Sequence, residues 1–303
     1  MDYVERQLGP RLWPYVECLW DLEASATVEP TVERVVPDGC MELVIHWGDR
    51  FAEVGDVSIV DELGEPTFQL QPRALVAGQR ELPLFLRSTG HVGVTAARFR
   101  PGGALPFLHD RIDLFRSQTV DLEDLIGREC TDLIGKLAGA EHAPGRMDVL
   151  EEWLAGRMRP LPATHLTVDR AIALLGTGES RIHGAALAAA AGCSRRTLER
   201  RFRERVGLGP GALRRILRLQ SVLLHLERRP WLSWAEIAVE SGYCDQAHLV
   251  RDFRRYTGMK PTDWRGEETG MADFFVDADR LERLLLEGPS LGEVPVQGPD
   301  VIT

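Results

Sequence analysis

The segment SRRTLERRFRERVG, residues 194–207, concentrates side chains that can bind anions. Six of its fourteen residues are arginine and only two are glutamate. Arginine donates paired N–H groups from a planar fork, which matches both a phosphate group and the edge of a guanine base. This chemistry predicts contact with a nucleic acid, although a solvated helix surface could carry the same charges.

Charge is distributed unevenly along the chain. The formal net charge is -10, yet residues 165–265 contain 18 Arg and Lys against 10 Asp and Glu. Residues 1–164 contain 16 against 27, and residues 266–303 contain 2 against 9. A basic segment between two acidic ones indicates a nucleic-acid partner for the basic part.

The basic segment is also repeated. Residues 187–214 and 237–265 align with nine identical positions when one extra residue is allowed before Asp245. Each copy has a helix of small residues, a glycine, a capping residue (Ser194 or Asp245) and a second, basic helix. Two helices joined by a tight turn, the second of them basic, predict a helix-turn-helix unit.

The sequence PGALRRILRLQSVLLHLER, residues 210–228, connects the two copies. Its apolar residues recur at helical spacing, which predicts a long amphipathic helix. Two recognition helices in successive major grooves on one face of DNA lie about 34 Å apart. A single helix between the units could set such a distance.

The repeated basic units and the helix between them resemble a known family of proteins. Residues 167–265 resemble the DNA-binding domain of the AraC/XylS family of bacterial transcription regulators, through SRRTLERRFRERVGLGP, RILRLQ and IAVESGYCDQAHLVRDFRRYTGMKP. The resemblance implies a domain of seven helices with two helix-turn-helix units. It also implies binding to double-stranded DNA by a transcription factor that usually activates, with RNA polymerase as a further partner.

The inward residues of each recognition helix decide which side chains face DNA. Leu198 and Phe202 share one face of the first helix, and Leu249 and Phe253 share one face of the second. The opposite faces, which match the base-facing positions of the family, predict base contacts from Arg196, Glu199, Arg200, Gln246, Ala247, Val250 and Arg251. Phosphate contacts are predicted for Arg195, Arg203, Arg214, Arg254 and Arg255. An ion pair between Glu199 and Arg203 is the competing interpretation.

The sequence before the basic segment predicts a different architecture. Residues up to about 110 have strand patterns, as in VVPDGCMELVIHWGD, PLFLRS and VTAARFRPGGALPFL, and residues 121–158 have helical spacing. The fold class is therefore α+β multidomain, with a β-rich, barrel-like N-terminal domain followed by helices and a C-terminal all-α domain. The predicted domains are residues 1–160, a linker at 161–166, the DNA-binding domain at 167–265 and an acidic tail at 266–303.

The N-terminal domain resembles the sensor part of one branch of these regulators, through PDG and RFRPGGA. In the wider family this position holds a small β-barrel that binds an effector, with helices used for dimerisation. The resemblance implies an unidentified small-molecule effector, and the helices at 121–158 could serve a homodimer or simply pack within the domain. Aromatic residues with a few polar groups are typical of such a pocket, and the candidates are Trp13, Trp20, His46, Trp47, His91, Arg98 and Phe99.

Residues for catalysis, metal binding or a cofactor are not indicated. His46, His91 and His109 stand singly on separate segments, the five cysteines are scattered, and no phosphate-binding glycine motif is found. No apolar run approaches the roughly 20 residues that span a bilayer. We therefore expect a cytoplasmic protein without catalytic residues, metal, cofactor or membrane partner.

Two other functions are considered. In the first, the N-terminal domain is an enzyme acting on a small molecule and the C-terminal domain only tethers it to DNA. In the second, the chain is an architectural DNA-binding protein, which the different residues on the two recognition helices disfavour. The acidic tail could compete with DNA for the basic domain, or it could be a packed helix with a frayed end.

Overall fold

The computed structural model describes residues 1–26, 32–54, 67–176 and 182–264. The predicted acidic tail lies outside these residues. The strands of the described part are β1 (Asp2–Arg6), β2 (Val16–Ala24), β3 (Val32–Val35), β4 (Met41–His46), β5 (Ala52–Val54), β6 (Phe68–Leu70), β7 (Ala74–Ala77), β8 (Leu84–Arg87), β9 (Val92–Phe99) and β10 (Thr119–Asp121). The predicted strand segments before residue 110 are therefore confirmed.

The strands form two antiparallel sheets that face each other. One sheet has the order β1-β2-β9-β4-β7-β10, and the other has the order β3-β8-β5-β6. Apolar side chains such as Cys18, Trp20, Leu22 and Leu86 fill the space between the sheets. The segment VVPDGCMELVIHWGD contains the last residue of β3, a turn and all of β4, and these two strands belong to different sheets. The chain at residues 36–40 therefore crosses from one sheet to the other.

Strand β2 is buried on both faces because the larger sheet is covered on both sides. Cys18 and Trp20 point between the sheets, whereas Val16 and Leu19 point to the opposite side. Side chains on the same face of a strand are normally two residues apart, but Val16 and Leu19 are three apart. A register shift between Val16 and Cys18 in the pairing of β2 with β9 explains this spacing. A bulge of this kind adds one residue and moves the preceding side chain to the other face.

Helices cover the outer face of the larger sheet. They are α1 (Leu105–Leu108), α2 (Leu122–Ile126), α3 (Arg128–Ala138) and α4 (Ala143–Arg157), and a 3-10 turn spans Ile112–Phe115. Leu133, Leu150 and Leu154 are buried against the sheet in one core with Leu19 and Phe99. The predicted helical region at 121–158 is confirmed, except that Asp121 ends β10 and caps α2 through its side chain.

The C-terminal part is helical throughout its described residues. Its helices are α5 (Leu166–Gly176), α6 (Gly184–Ala190), α7 (Arg195–Val206), α8 (Pro210–Arg228), α9 (Trp234–Glu240), α10 (Gln246–Thr257) and α11 (Pro261–Trp264). They share one core that runs from Val168 on α5 to Tyr256 on α10. Two helix-turn-helix units, α6–α7 and α9–α10, are joined by the long helix α8, so the predicted fold class is confirmed. No helix in the described ranges is long and apolar enough to cross a membrane.

Candidate nucleic-acid interface and ligand cavity

Helix α7, the first predicted recognition helix, starts and stops where its sequence predicts. The Ser194 side chain accepts a hydrogen bond from the Thr197 backbone N–H at 3.2 Å, which satisfies an amide of the first turn. Gly207 ends the helix with a left-handed φ of 82°. Leu198 and Phe202 are buried in the domain core. This anchoring fixes which face of α7 turns away from the domain.

Helix α10, the second predicted recognition helix, repeats this arrangement. The Asp245 side chain accepts a hydrogen bond from the His248 backbone N–H at 2.7 Å, and Gly258 ends the helix with a φ of 77°. Leu249 and Phe253 are fully buried. The internal repeat in the sequence therefore corresponds to a repeated local structure, with the same face of each helix held inward.

Most of the predicted base-contacting side chains are accessible. Arg196 and Arg200 on α7 are exposed, and so are Gln246, Ala247 and Arg251 on α10. Glu199 and Val250 are half-buried, and Val250 packs against the domain core. All seven residues lie in the N-terminal halves of their helices, so each helix presents one compact group of side chains.

Two of these residues take part in ion pairs within α7. Arg200 Nη1 lies 3.1 Å from Glu204 Oε2, and Arg203 Nη2 lies 3.5 Å from Glu199 Oε2. The second pair is the competing interpretation that the sequence left open. Exposed pairs four residues apart on a helix contribute only about 0.3–0.5 kcal/mol. Each arginine can therefore exchange its glutamate for a base or a phosphate at small cost.

The arginines predicted to contact phosphate do not share one environment. Arg195, Arg203, Arg254 and Arg255 are exposed at the ends or outer faces of the two recognition helices. Arg214 lies half-buried on α8, where burial and then the neighbouring Arg218 and Arg215 lower the pKa of its guanidinium. The first four side chains are therefore accessible to solvent, whereas Arg214 is only partly accessible.

The remaining arginines of α7 have structural partners. Arg205 is buried and donates to the backbone oxygens of Gly102 and His165 and to the Asp169 carboxylate, at 3.1, 2.8 and 2.5 Å. Arg201 donates to the backbone oxygen of Thr164 at 3.2 Å. Arg205 lies seven residues after Leu198 and so falls on the inward face. This spacing from Leu198 is the feature of the sequence from which the burial of Arg205 could have been predicted.

The N-terminal domain contacts the C-terminal domain at the C-terminal ends of both predicted recognition helices. An added Cβ at Gly207, which ends α7, would lie 2.3 Å from Gln79 Oε1. An added Cβ at Gly258, which ends α10, would lie 3.8 Å from Pro83 Cγ. Arg34 on β3 contacts the sulfur of Met259 just beyond α10. The side chains predicted to contact bases lie in the N-terminal halves of these helices, away from these contacts with the N-terminal domain.

Helix α8 is held by the crossing segment at residues 36–40. Gln220 is fully buried and donates from Nε2 to the Pro37 backbone oxygen at 2.7 Å. Gly39 has a left-handed φ of 82°, and an added Cβ there would lie 2.7 Å from Leu213 on α8. Val36 and Cys40 belong to the hydrophobic core of the C-terminal domain. No sequence pattern indicates this contact, because Gln220 and Pro37 are 183 positions apart.

A cavity of about 90 Å³, called the ligand cavity below, lies between the two sheets. This space is several times the roughly 10–15 Å³ that one water molecule needs. Its wall is mainly apolar, with a few polar groups and part of the crossing segment. The lining includes Trp20, Val35, Val36, Pro37, Asp38, Cys40, Glu42, Val44, Phe51, Gln71, Leu75, Arg80, Leu84 and Leu86.

The residues predicted to form an effector pocket are spread over several sites. Trp20 lines the ligand cavity and donates from Nε1 to Glu42 Oε1 at 3.3 Å. Arg98 is fully buried behind Glu42 and donates from Nε to Glu42 Oε1 at 2.7 Å. His46 contacts Gln71, which itself lines the cavity. These three residues surround or support the cavity.

The other four predicted residues lie elsewhere. Trp13 stacks under the Arg100 guanidinium at 3.6 Å, and Phe99 packs against Phe107 on the helical side of the larger sheet. Trp47 stacks under the Arg146 guanidinium at 3.9 Å, and its ring lies 5.9 Å from that of His91. The structure therefore gathers part of the predicted set and adds Asp38, Glu42, Phe51 and Arg80, which no sequence motif singles out.

Burial of His46 makes a testable contribution to stability. Burial lowers the pKa of His46 from 6.5 to about 4. The unfolded chain therefore takes up a proton below pH 6.5 while the folded chain does not, so this stability is present above pH 6.5 and is lost as pH falls towards 4. At pH 5 the loss is about 2 kcal/mol. We expect H46Q to lose less stability than the unmodified chain between pH 7 and pH 5 in urea unfolding, and equal losses would contradict this.

A second opening lies on the outer helical surface between α3 and α4. It has a volume of about 670 Å³ and is lined by side chains that include His109, Glu129, Lys136 and Trp153. Trp153 and Arg157 both donate to the Glu129 carboxylate, at 2.7 and 2.9 Å. Among the described residues, no group of three or more His, Cys, Asp or Glu side chains could hold a metal ion.

Comparison with known proteins separates the chain into two matched parts. Residues 187–267 match the family described as "Helix-turn-helix domain", and residues 7–121 match the family described as "Domain of unknown function (DUF6597)". The HTH-type transcriptional regulator MtrA of Neisseria gonorrhoeae is 37% identical over 81 residues. An uncharacterized HTH-type transcriptional regulator of Haemophilus influenzae is 33% identical over 94 residues.

These relatives bear on the DNA-binding part alone. The matched segments span 27% of the MtrA chain and 31% of the Haemophilus influenzae chain, and the same shares of this one. Among solved structures, ToxT from Vibrio cholerae aligns with 80% of this chain and 98% of its own, at 10% identity and a TM-score of 0.42. Residues 187–267 are therefore similar to helix-turn-helix domains of transcription regulators, in agreement with the resemblance to the AraC/XylS family, and residues 7–121 match a second domain family.

Proposed function

We propose that this chain is a sequence-specific transcription regulator that binds double-stranded DNA with α7 and α10 and responds to a small molecule in its N-terminal domain. The observation that carries the proposal is the pair of exposed side-chain groups at the N-terminal halves of the two recognition helices, on one helical unit. Such a protein would bind bacterial DNA in the cytoplasm. RNA polymerase and a second copy of the chain are further proposed partners.

Different chemistry on the two helices supports recognition of two different half-sites. Arg196 and Arg200 suit guanine, and Glu199 suits cytosine. Gln246 suits adenine, Arg251 suits guanine, and the small apolar Ala247 and Val250 suit the thymine methyl group. Arg195, Arg203, Arg254 and Arg255 surround these groups with charge for the phosphates, and half-buried Arg214 would act from α8. The expected operator is therefore asymmetric.

Selection from a random pool of double-stranded DNA tests the proposed function with the full chain. We expect enrichment of a site with two unlike half-sites at a fixed spacing of about 10 base pairs, which is one helical turn. Retention of all sequences to a similar extent would support an architectural protein and overturn the proposal. Failure to retain DNA at low salt would overturn it as well.

Single substitutions then test the assignment of each helix to one half-site. R200A should relax preference at one base position in one half-site, and R251A should do the same in the other. Either substitution should reduce discrimination at its base by about 1–3 kcal/mol, which exceeds the ion pair that Arg200 gives up. The exposed Arg128 on α3 offers a matched control, R128A. Competition binding against all four bases at each position measures the effect, and equal weakening on every sequence would assign the arginine to phosphate instead.

A further inference from the structure

One short segment of the N-terminal domain reaches the ends of both predicted recognition helices. It comprises residues 79–85, called the bridging segment below, which follow β7 and enter β8. Because β7 belongs to the larger sheet and β8 to the smaller one, this segment also crosses between the sheets. Its first residue, Gln79, is buried and donates from Nε2 to the Gly39 backbone oxygen at 3.4 Å. The bridging segment therefore contacts the crossing segment at residues 36–40.

The start of the bridging segment contacts the end of α7. Gly207 has a φ of 82°, and an added Cβ there would lie 2.3 Å from Gln79 Oε1 and 3.2 Å from the Ile112 backbone oxygen. Glycine at this position allows the helix to come this close to the N-terminal domain. In the same turn, buried Arg205 donates to the Gly102 backbone oxygen at 3.1 Å. The last turn of α7 is therefore held on the N-terminal domain by packing and by a hydrogen bond.

The end of the bridging segment contacts the end of α10. Pro83 Cγ and Phe85 Cζ lie 3.8 and 3.9 Å from where a Cβ on Gly258 would be. On the neighbouring strand β3, Arg34 Cζ lies 5.5 Å from the centre of the Phe85 ring. The Arg34 guanidinium also contacts the sulfur of Met259. Pro83, Phe85 and Arg34 together form the surface on which α10 ends.

The middle of the bridging segment lies next to α8. Glu81 Oε1 is 3.9 Å from Arg215 Nη2 on this helix. Arg215 Nε in turn donates to the Tyr256 hydroxyl of α10 at 3.1 Å. Residues 79–85 therefore contact α7, α8 and α10 in this order along the chain.

The bridging segment is tied to the two sheets at both of its ends. Arg80 Nη2 donates to Thr119 Oγ1 on β10 of the larger sheet at 2.7 Å. Leu84, between Pro83 and Phe85, lines the ligand cavity, because alternate residues of a strand point to opposite faces. Strand β8 also pairs with β3 and β5. A segment anchored in this way can hold two helix ends at a fixed separation.

We propose that the bridging segment fixes the separation of α7 and α10, and so determines which spacing between half-sites the chain binds. Gln79, Glu81, Pro83 and Phe85 are positioning residues, at the opposite ends of these helices from the predicted base contacts. The consequence for DNA rests on the proposed function, whereas the fixed separation is a property of the chain without DNA. A change of one base pair moves a half-site by about 3.4 Å along the DNA axis. A small change in separation therefore alters the preferred spacing.

Helix α8 and the shared hydrophobic core are the competing source of the fixed separation. They connect the two helix-turn-helix units without the N-terminal domain. The two explanations differ in what happens when the contacts of the bridging segment are removed and α8 is left intact. The double variant Q79A/F85A does this, because it removes one contact at the end of α7 and one at the end of α10.

The distance between spin labels on the two helix-turn-helix units tests the proposal without DNA. One label is attached to the exposed Cys244 and the other to R195C, in a chain that carries C193S and whose other cysteines are buried. We expect one narrow distribution of distances in this chain. Adding Q79A/F85A should shift the mean by about 3 Å or broaden the distribution by a similar amount. An unchanged distribution would overturn the proposal, because α8 and the core would then suffice.

Binding to operators of different spacing tests the consequence for DNA. The selected operator is rebuilt with its half-sites one base pair closer together and one base pair farther apart. We expect the unmodified chain to lose about tenfold or more in affinity at either altered spacing, because one helix then loses a base contact. Q79A/F85A should bind all three spacings with similar affinity while it keeps the base preference within each half-site. An unfolded variant would lose that base preference too.

The control for both experiments is L82A, because Leu82 belongs to the same segment but its side chain is 60% exposed. It should keep the label distance and the spacing preference, and loss of either would contradict the role given to the buried contacts. If Q79A/F85A does not fold, Q79A and F85A are measured singly, since each frees one helix end.

The two experiments separate this inference from the proposed function. If Q79A/F85A changes the label distance but the unmodified chain binds no DNA, the proposed function fails while the positioning role stands. If the unmodified chain binds its operator and Q79A/F85A keeps the same spacing preference, only this inference fails.

Discussion

R146M is expected to lower the free energy of unfolding of the N-terminal domain by about 3–5 kcal/mol, because it leaves a buried carboxylate without its partner. Arg146 on α4 is 4% exposed and Asp21 on β2 is 2% exposed. Arg146 donates from Nε and Nη2 to the two oxygens of Asp21 at 2.8 and 2.7 Å, and these hydrogen bonds raise its pKa. Its guanidinium also covers the ring of Trp47 at 3.9 Å.

The double variant D21L/R146M distinguishes two quantities: the free-energy cost of leaving the Asp21 carboxylate unpaired, and the net contribution of the Arg146–Asp21 ion pair to stability. Replacing a buried ion pair by apolar residues of similar volume is often neutral or stabilising. We therefore expect the double variant to lose less stability than R146M, with a residual cost because the buried Thr95 hydroxyl loses its acceptor on Asp21. R128M on the exposed surface should change stability by less than about 0.5 kcal/mol.

Amide hydrogen exchange of β2 and β9 is the suitable measurement, because a chain of two domains does not guarantee a single unfolding transition. The protection of these strands reports the N-terminal domain separately. A loss below about 1 kcal/mol in R146M would contradict the assignment of Arg146 and Asp21 as a buried pair that holds α4 to the sheet.

The helical half of the fold could be predicted because its determinants are local. Ser194 and Asp245 cap helices that begin at the following residue, and Gly207 and Gly258 end them with positive φ. Helix α8 spans Pro210–Arg228, the range that its apolar spacing predicts. In each case a side chain acts on a backbone group within a few residues, so the sequence alone carries the information.

The strand faces could not be assigned in the same way. All eight residues of β9 are buried, because helices cover one face of the larger sheet and the second sheet covers the other. The alternation of polar and apolar residues, which would distinguish side chains on a buried face from those on a solvent-exposed face, is therefore absent. Phe99 packs on the helical side of the sheet, whereas its neighbour Arg98 donates to Glu42 on the other side, so the sequence alone did not show which of the two faces the second sheet.

Contacts between distant segments could not be predicted from the sequence either. The ligand cavity takes residues from β2, β3, β4, β7 and β8, whose order in space does not follow their order in the chain. The base-contacting residues stay a prediction of the sequence. The structure supplies their exposure and shows that the N-terminal domain leaves that end of each recognition helix uncovered.

Replacing four of the residues predicted to contact bases, in the variant R196A/R200A/Q246A/R251A, is expected to abolish the preference for the operator over unrelated DNA. Four contacts of about 1–3 kcal/mol each would account for most or all of the roughly 4–10 kcal/mol that typically separates specific from non-specific binding. The four side chains are exposed and alanine favours helices, so the domain should stay folded. Electrophoretic mobility shifts with operator and scrambled duplexes, at several salt concentrations, measure the ratio of the two affinities.

The matched variant R195A/R203A/R254A/R255A removes exposed arginines from the same two helices but from the predicted phosphate contacts. Because phosphate contacts carry no sequence information, this variant should weaken operator and scrambled DNA alike and keep their ratio. The slope of log affinity against log salt should become shallower by about 0.9 for each phosphate that the variant no longer neutralises. If the first variant keeps the ratio and the second abolishes it, the two sets have exchanged roles, and DNA lies on a different face of α7 and α10 from the one that Leu198, Phe202, Leu249 and Phe253 leave outward.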